Sequence, residues 1–238
     1  MPRWNISETR KLVEARYGRA QITLARHCLR SVTERLRHGQ YHFQEARALL
    51  KSHIDDRLPS ESIYTLAWPT DPEAWSDLDH CLMKVEAHMI ACAQAVHSLA
   101  DTLAHVVYYS LGLNSSPTEL LEQVVSVDTV LEALATLSPA RSAVAAPLAS
   151  LRTDPAFVLV AAIVNHSKHR GFPESRLSIE PAHTVAPYAM EFGAFAYKKQ
   201  QYAEREIAEA LAPGYEAASR AVVDTGNAIN HVLFQEAL

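Results

Sequence analysis

The sequence predicts a mainly α protein, an antiparallel helical bundle of about five main helices with a small β hairpin before the C-terminal helix. Three observations predict it. Glycine is scarce, 7 of 238 residues, so few positions interrupt a helix. Apolar residues recur at alternating steps of three and four over long stretches, the period of a helix face. Only the segments RLSIEP and PYAMEFGAFAYKKQQY alternate apolar with polar and aromatic residues, as short strands do.

The elements follow in chain order. Ser7 caps a first helix, in which Val13, Tyr17, Ala20, Leu24 and Cys28 fall on one face and Arg16, Arg19, Arg26, Arg30 and Arg37 on another. Gly39 is expected to interrupt it before FQEARALLKSHI resumes. A connector with prolines at 59, 69 and 72 follows. The next helix spans Asp79 to Leu111 on the seam Leu82, Val85, Met89, Cys92, Val96, Leu99, Leu103 and Val106, and Gly112 and Asn114 end it. Ser116-Pro117-Thr118-Glu119 opens a helix running to Ser138-Pro139. A shorter Ala-rich helix, disturbed by Pro147, comes next. Asp154-Pro155 then opens FVLVAAIVNHSKHR, which Gly171 closes. After the strands, Pro213-Gly214 marks a break before the last helix.

Composition narrows the class. The chain is 48% hydrophobic and 21% charged, which suits a soluble globular domain. No apolar run is long enough to span a bilayer, the start lacks a signal-peptide core, and the three cysteines match no metal spacing. Cys28, Cys81 and Cys92 are expected to be buried, reduced thiols, and the protein to be cytoplasmic with no membrane partner. Net charge is -5, against indiscriminate nucleic-acid binding, but residues 1–57 carry 12 of the 22 Lys+Arg and 6 of the 27 Asp+Glu. That local excess points to a basic face able to track a phosphate backbone through Arg16, Arg19, Arg26, Arg30 and Arg37, or to an ordinary solvated face.

The stretch Asn165-His166-Ser167-Lys168-His169-Arg170 asks for an explanation. It ends a helix that is apolar nearly all round. Asn165 and His169 lie one turn apart, Lys168 is beside them, and His166 and Arg170 form a second such pair. Cations there complement the helix dipole. They also form a phosphate-handling set: imidazole can move protons near neutrality, and fixed cations can stabilise developing negative charge without a metal.

The same stretch, followed by a β-like segment and a closing helix, resembles the HEPN superfamily, and HSLADTLAHVV resembles the central helix of one bacterial branch of it. The similarity covers residues 78–236. It implies a bundle that pairs into a homodimer and, in active members, a metal-independent ribonuclease with no cofactor. The family pattern Arg-Asn-x-x-x-His is met here by Asn165 and His169, with Val164 at the Arg position, which implies weak or lost cleavage. On this reading His169, Asn165, Lys168, Arg170 and Asp101 form the catalytic set. His166 joins the arginines in contacting RNA or nucleotide. Residues 1–77 would be a basic helix and connector packed on a HEPN-like bundle of 78–238, one compact domain overall.

Other readings stay open. His97, Asp101 and His105 are spaced as metal ligands on one helix, and a metal-dependent bundle enzyme can be drawn from them, although the stripe lies opposite the apolar seam. A non-catalytic helical module docking onto a protein partner is the second. The tips of Tyr108, Tyr109, Tyr197 and Tyr202 could stack bases, or the rings could serve the core.

Overall fold

The computed structural model describes residues 3–115, 120–180 and 187–236. Its order is α1 (Ile6–Leu50), a π turn (Lys51–Asp55), α2 (Ile63–Ala67), α3 (Pro72–His97), α4 (Leu99–Ser110), a 3-10 turn (Glu122–Val124), α5 (Val127–Ala135), α6 (Pro139–Ser142), α7 (Ala145–Thr153) and α8 (Pro155–Arg170). Five strands follow: β1 (Ser175–Ile179), β2 (Tyr188–Phe192), β3 (Phe195–Tyr197), β4 (Gln200–Tyr202) and β5 (Arg205–Glu206). Then α9 (Ile207–Gln235) closes the chain. The fold is mainly α, with a small antiparallel sheet before the C-terminal helix. Among the described residues no single helix is long and apolar enough to cross a membrane.

The chain divides into two units, and neither coincides with residues 1–77 or 78–238. The first comprises Met1–Leu36, Val96–Val158 and Tyr215–Leu238; the second comprises Arg37–Ala95 and Leu159–Gly214.

The first unit is helical. Fully buried Ile22, Leu29, Leu99, Leu103, Leu111, Leu134 and Leu148 form its core. Each contributes about 1.5–3 kcal/mol by leaving water. Gln21, also buried, is satisfied by a reciprocal amide pair with Asn114 (2.7 and 3.0 Å) and by donating to the Tyr109 carbonyl at 2.6 Å. Such bonds net about 1 kcal/mol each, so apolar packing dominates and the polar contacts fix register. Arg141 grips Glu236 through Nε (2.5 Å) and Nη2 (2.7 Å) and donates to Tyr17 Oη at 2.9 Å. Arginine beside it holds the Glu236 carboxyl below the usual range.

The first helix departs from its predicted face. Gly18 takes φ 85 and ψ 177, outside the helical region, and kinks α1. The seam 13-17-20-24-28 therefore does not continue. Val13 is buried, Ala20 and Leu24 are exposed, and beyond the kink Ile22, Ala25, Leu29 and Val32 face inward. Gly39 does not interrupt: it is buried inside the helix, which runs on to Leu50.

The helix predicted from Asp79 to Leu111 is two. It begins earlier, because Asp71 accepts from the Ala74 amide at 2.9 Å and places Pro72 at the first helical position. It is divided at Ser98, whose hydroxyl accepts from Arg35 Nη1 at 2.5 Å. The proposed start at 116–119 lies outside the described residues. The α-helix there begins only at Val127, behind a capping box of Ser126 and Thr129.

In the second unit Ile54, Val85, Met89, Cys92, Val160, Ile163, Met190 and Phe192 are buried. β2 pairs antiparallel with β1 along five residues, Ser175 opposite Phe192 through Ile179 opposite Tyr188, and its other edge takes β5. β3 and β4 form a separate hairpin with Phe195 opposite Tyr202 and Tyr197 opposite Gln200. The described residues between α8 and α9 thus hold five short strands rather than two or three. Pro213 does not break the chain either: α9 starts at Ile207 and carries Pro213 within it, at an exposed position.

Candidate functional site

α8 carries the strongest candidate. Asp154 Oδ1 accepts from the amides of Ala156 and Phe157 and starts the helix. Phe157, Val160, Ala162, Ile163 and Val164 bury it. Exposure then rises residue by residue. Asn165, His166 and Ser167 are half-buried, and Lys168, His169 and Arg170 are exposed. Gly171, at φ 97, turns the chain away. The His166 imidazole donates from Nδ1 to the carbonyl of Gly171, the residue just past the helix, at 2.9 Å. The His166 ring is thus tied back to the chain just past the helix, whereas Lys168 and His169 are exposed.

The β3–β4 hairpin joins this helix end. The His166 ring meets Phe195 edge-on at 5.2 Å, and Arg170 Nη1 donates to the Ala196 carbonyl at 3.2 Å. Phe195 stacks on its cross-strand partner Tyr202 at 4.8 Å with planes 11° apart. Tyr197, two residues beyond Phe195, shares that face of the hairpin. Lys198 and Lys199 form the exposed tip, and Lys198 Nζ sits 5.6 Å from the Tyr197 ring centroid. The helix end and the hairpin thus bring His166 and Arg170 against the strand that carries Phe195 and Ala196, with Tyr202 on Phe195 and with Tyr197, Lys198 and Lys199 farther along the hairpin; Lys168 lies on the other side of α8 from His166 and Arg170. The sequence reading did not join Lys198 and Lys199 to the site. Their signal was a Lys-Lys pair at a two-residue turn, where Asn-Gly is usual.

The other candidates lie elsewhere. Asp101 belongs to the first unit, exposed in the first turn of α4, and its backbone carbonyl accepts from His105 Nδ1 at 2.8 Å. Among the described residues no group of three or more His, Cys, Asp or Glu is arranged to hold a metal ion. Arg16, Arg19, Arg26 and Arg30 are exposed in the first unit and Arg37 in the second. The kink at Gly18 separates Arg16 from the rest, so they do not form one helical stripe. Arg16 instead approaches Glu236 at 3.4 Å, and Arg30 pairs with Glu34 at 3.2 Å. Tyr108 and Tyr109 are buried, which removes them as base-stacking groups. Cys28, Cys81 and Cys92 are free and buried, and burial pushes the Cys28 and Cys92 thiols up to about 12.

A groove of about 410 Å³ also opens in the second unit between α3 and the sheet, with Leu82, Met83 and Ile90 along α3 and Leu177 and Met190 on the strands. Its rim is tied by Ser175 Oγ donating to Glu86 at 2.9 Å and by Arg176 pairing with Glu204 and Glu191. Comparison with family models, curated proteins and solved structures yields no match.

Proposed function

We propose that the protein is a HEPN-like, cytoplasmic homodimer that binds RNA or a nucleotide at the C-terminal end of α8, with metal-independent cleavage weak or lost. One observation carries this reading: the end of α8, with Arg170 and the exposed His169, is joined to the hairpin that carries Tyr197, Lys198 and Lys199 through the His166–Phe195 ring contact and the Arg170–Ala196 bond. Phosphate oxygens want the cations, and bases want the rings. His169 supplies a proton donor or acceptor, and Asn165, one turn earlier, supplies an amide to orient phosphate or imidazole. Val164, where the family pattern has arginine, is buried. It offers no charge to a pentavalent phosphate, which is why binding without efficient cutting is the expected behaviour.

The test is incubation of the purified protein with end-labelled RNA in EDTA, beside His169→Ala, with oligomeric state read by light scattering. The expected result is a dimer that retains RNA. Any slow cleavage is expected to fall at least tenfold in His169→Ala. Cleavage unchanged by that substitution, or no RNA retention, contradicts the reading. A second reading, a protein-docking module, is favoured by the α3–sheet groove, in which Met83 is 52% exposed. A protein inert to RNA would promote it.

A further inference from the structure

The geometry points to the β3–β4 hairpin as a single-strand-reading finger. It takes an unpaired RNA segment, with a base on the Tyr197 ring and the flanking phosphates on Lys198 and Lys199. This rests on the reading of the α8 end as an RNA site and names the form of RNA it takes.

Lys198 stands at φ 48, and among the described residues it is the one non-glycine residue with positive φ. Glycine or asparagine adopts that conformation at far lower cost, and both are the usual choices at such a tip. A lysine held there against its backbone preference is a feature in search of a use, and its neighbour Lys199 doubles the charge. The strands behind it have three residues each, too few for an isolated hairpin to persist in water. The hairpin is held instead by its root: His166 against Phe195, Phe195 against Tyr202, and the Arg170 guanidinium on the Ala196 carbonyl. The rings form a sequence from the helix end outward, His166, Phe195, Tyr202 and then Tyr197, which is only half-buried.

That order suits a single strand. Stacked bases in a duplex keep their faces covered, whereas an unpaired base can lie on an exposed ring, and the preference is tolerant of sequence because every base has a π face. Lys198 Nζ lies over the Tyr197 ring, 5.6 Å from its centroid, so a base that stacks on that face takes the ammonium's place and the ammonium turns to the adjoining phosphate. A double helix would present the two lysines with phosphates but leave Tyr197 without a partner. The finger therefore distinguishes strandedness and is indifferent to sequence.

Fluorescence anisotropy with a labelled single-stranded RNA of about 12 nucleotides, with the same sequence as a duplex, and co-sedimentation with phosphatidylserine vesicles, test this on the full chain. Wild type is expected to prefer the single strand. Tyr197→Ala should weaken it about tenfold, with Tyr197→Phe close to wild type. The double change Lys198→Ala with Lys199→Ala should reduce the slope of log affinity against log salt by about 1.4, two phosphates at about 0.7 each. Lys198→Asn separates ligand binding from folding: it should raise thermal stability by relieving the backbone while weakening binding. Loss of both together, or equal binding of single strand and duplex, overturns the finger. If RNA binding survives every hairpin change but falls with Lys168→Ala, the finger is wrong and the helix-end reading stands. If wild type binds no RNA, or binds only the vesicles, both are overturned.

Discussion

His42 and His88 bring their Nδ1 atoms to 3.0 Å, an arrangement that requires one to donate and the other to accept. Protonating both imidazoles would set two N–H groups against each other. Burial, then the neighbouring His88 and His38, hold the His42 imidazole below its ordinary value of 6.5, with Glu45 opposing. The unfolded chain takes up this proton near pH 6.5, and the folded chain does so only at lower pH. Stability is thus full above the ordinary value and declines as pH falls below it, until the folded imidazole also titrates. His42→Gln is expected to flatten the loss of stability between about pH 7 and pH 5, measured by urea denaturation. Some slope should persist, because burial and the Arg57 cation hold His53 low as well. A variant with the wild-type slope would show that this pair does not govern the acid limb.

Helix punctuation was the part of the fold hardest to read, and the reasons are local. Periodicity located the stretch of α3 and α4, though as one helix, because its apolar positions repeat without competition, and α8 was placed by Asp154-Pro155 and Gly171 at its ends. Periodicity misplaced the face of α1 because glycine breaks a helix by conformation, not by composition: Gly18 breaks it and Gly39 does not. Likewise Pro72 starts a helix and Pro213 rides inside one, since a proline's effect depends on whether the missing amide had a partner. Gly18 has nothing within 4 Å of where a Cβ would stand, so its role is purely conformational. Its φ and ψ are in a region that only glycine occupies freely. Gly18→Ala is therefore expected to cost about 1–3 kcal/mol. Chemical denaturation would check it, and an unchanged midpoint would mean that α1 straightens without penalty. For the candidate site, Asn165, His166, Lys168, His169 and Arg170 were legible as one helix end. Lys198 and Lys199 were not, because the contacts joining the hairpin to α8 run through rings and a backbone carbonyl separated from them by some thirty residues, and no spacing rule reports such contacts.

Across the molecule, charge and site do not coincide. The surplus of arginine in residues 1–57 drew attention to the first helix, but there Arg16 and Arg30 face carboxylates and Gly18 breaks the stripe. The α8 end and its hairpin hold fewer cations, yet combine them with rings and an imidazole, and that combination gives the second unit its candidate for RNA. The difference is open to direct measurement by photocrosslinking a single-stranded RNA carrying 4-thiouridine to the intact protein and mapping the modified peptides by mass spectrometry. Adducts within residues 165–170 and 195–202, with Tyr197 foremost, are the predicted result. Adducts confined to residues 6–36, or none at all, would contradict it.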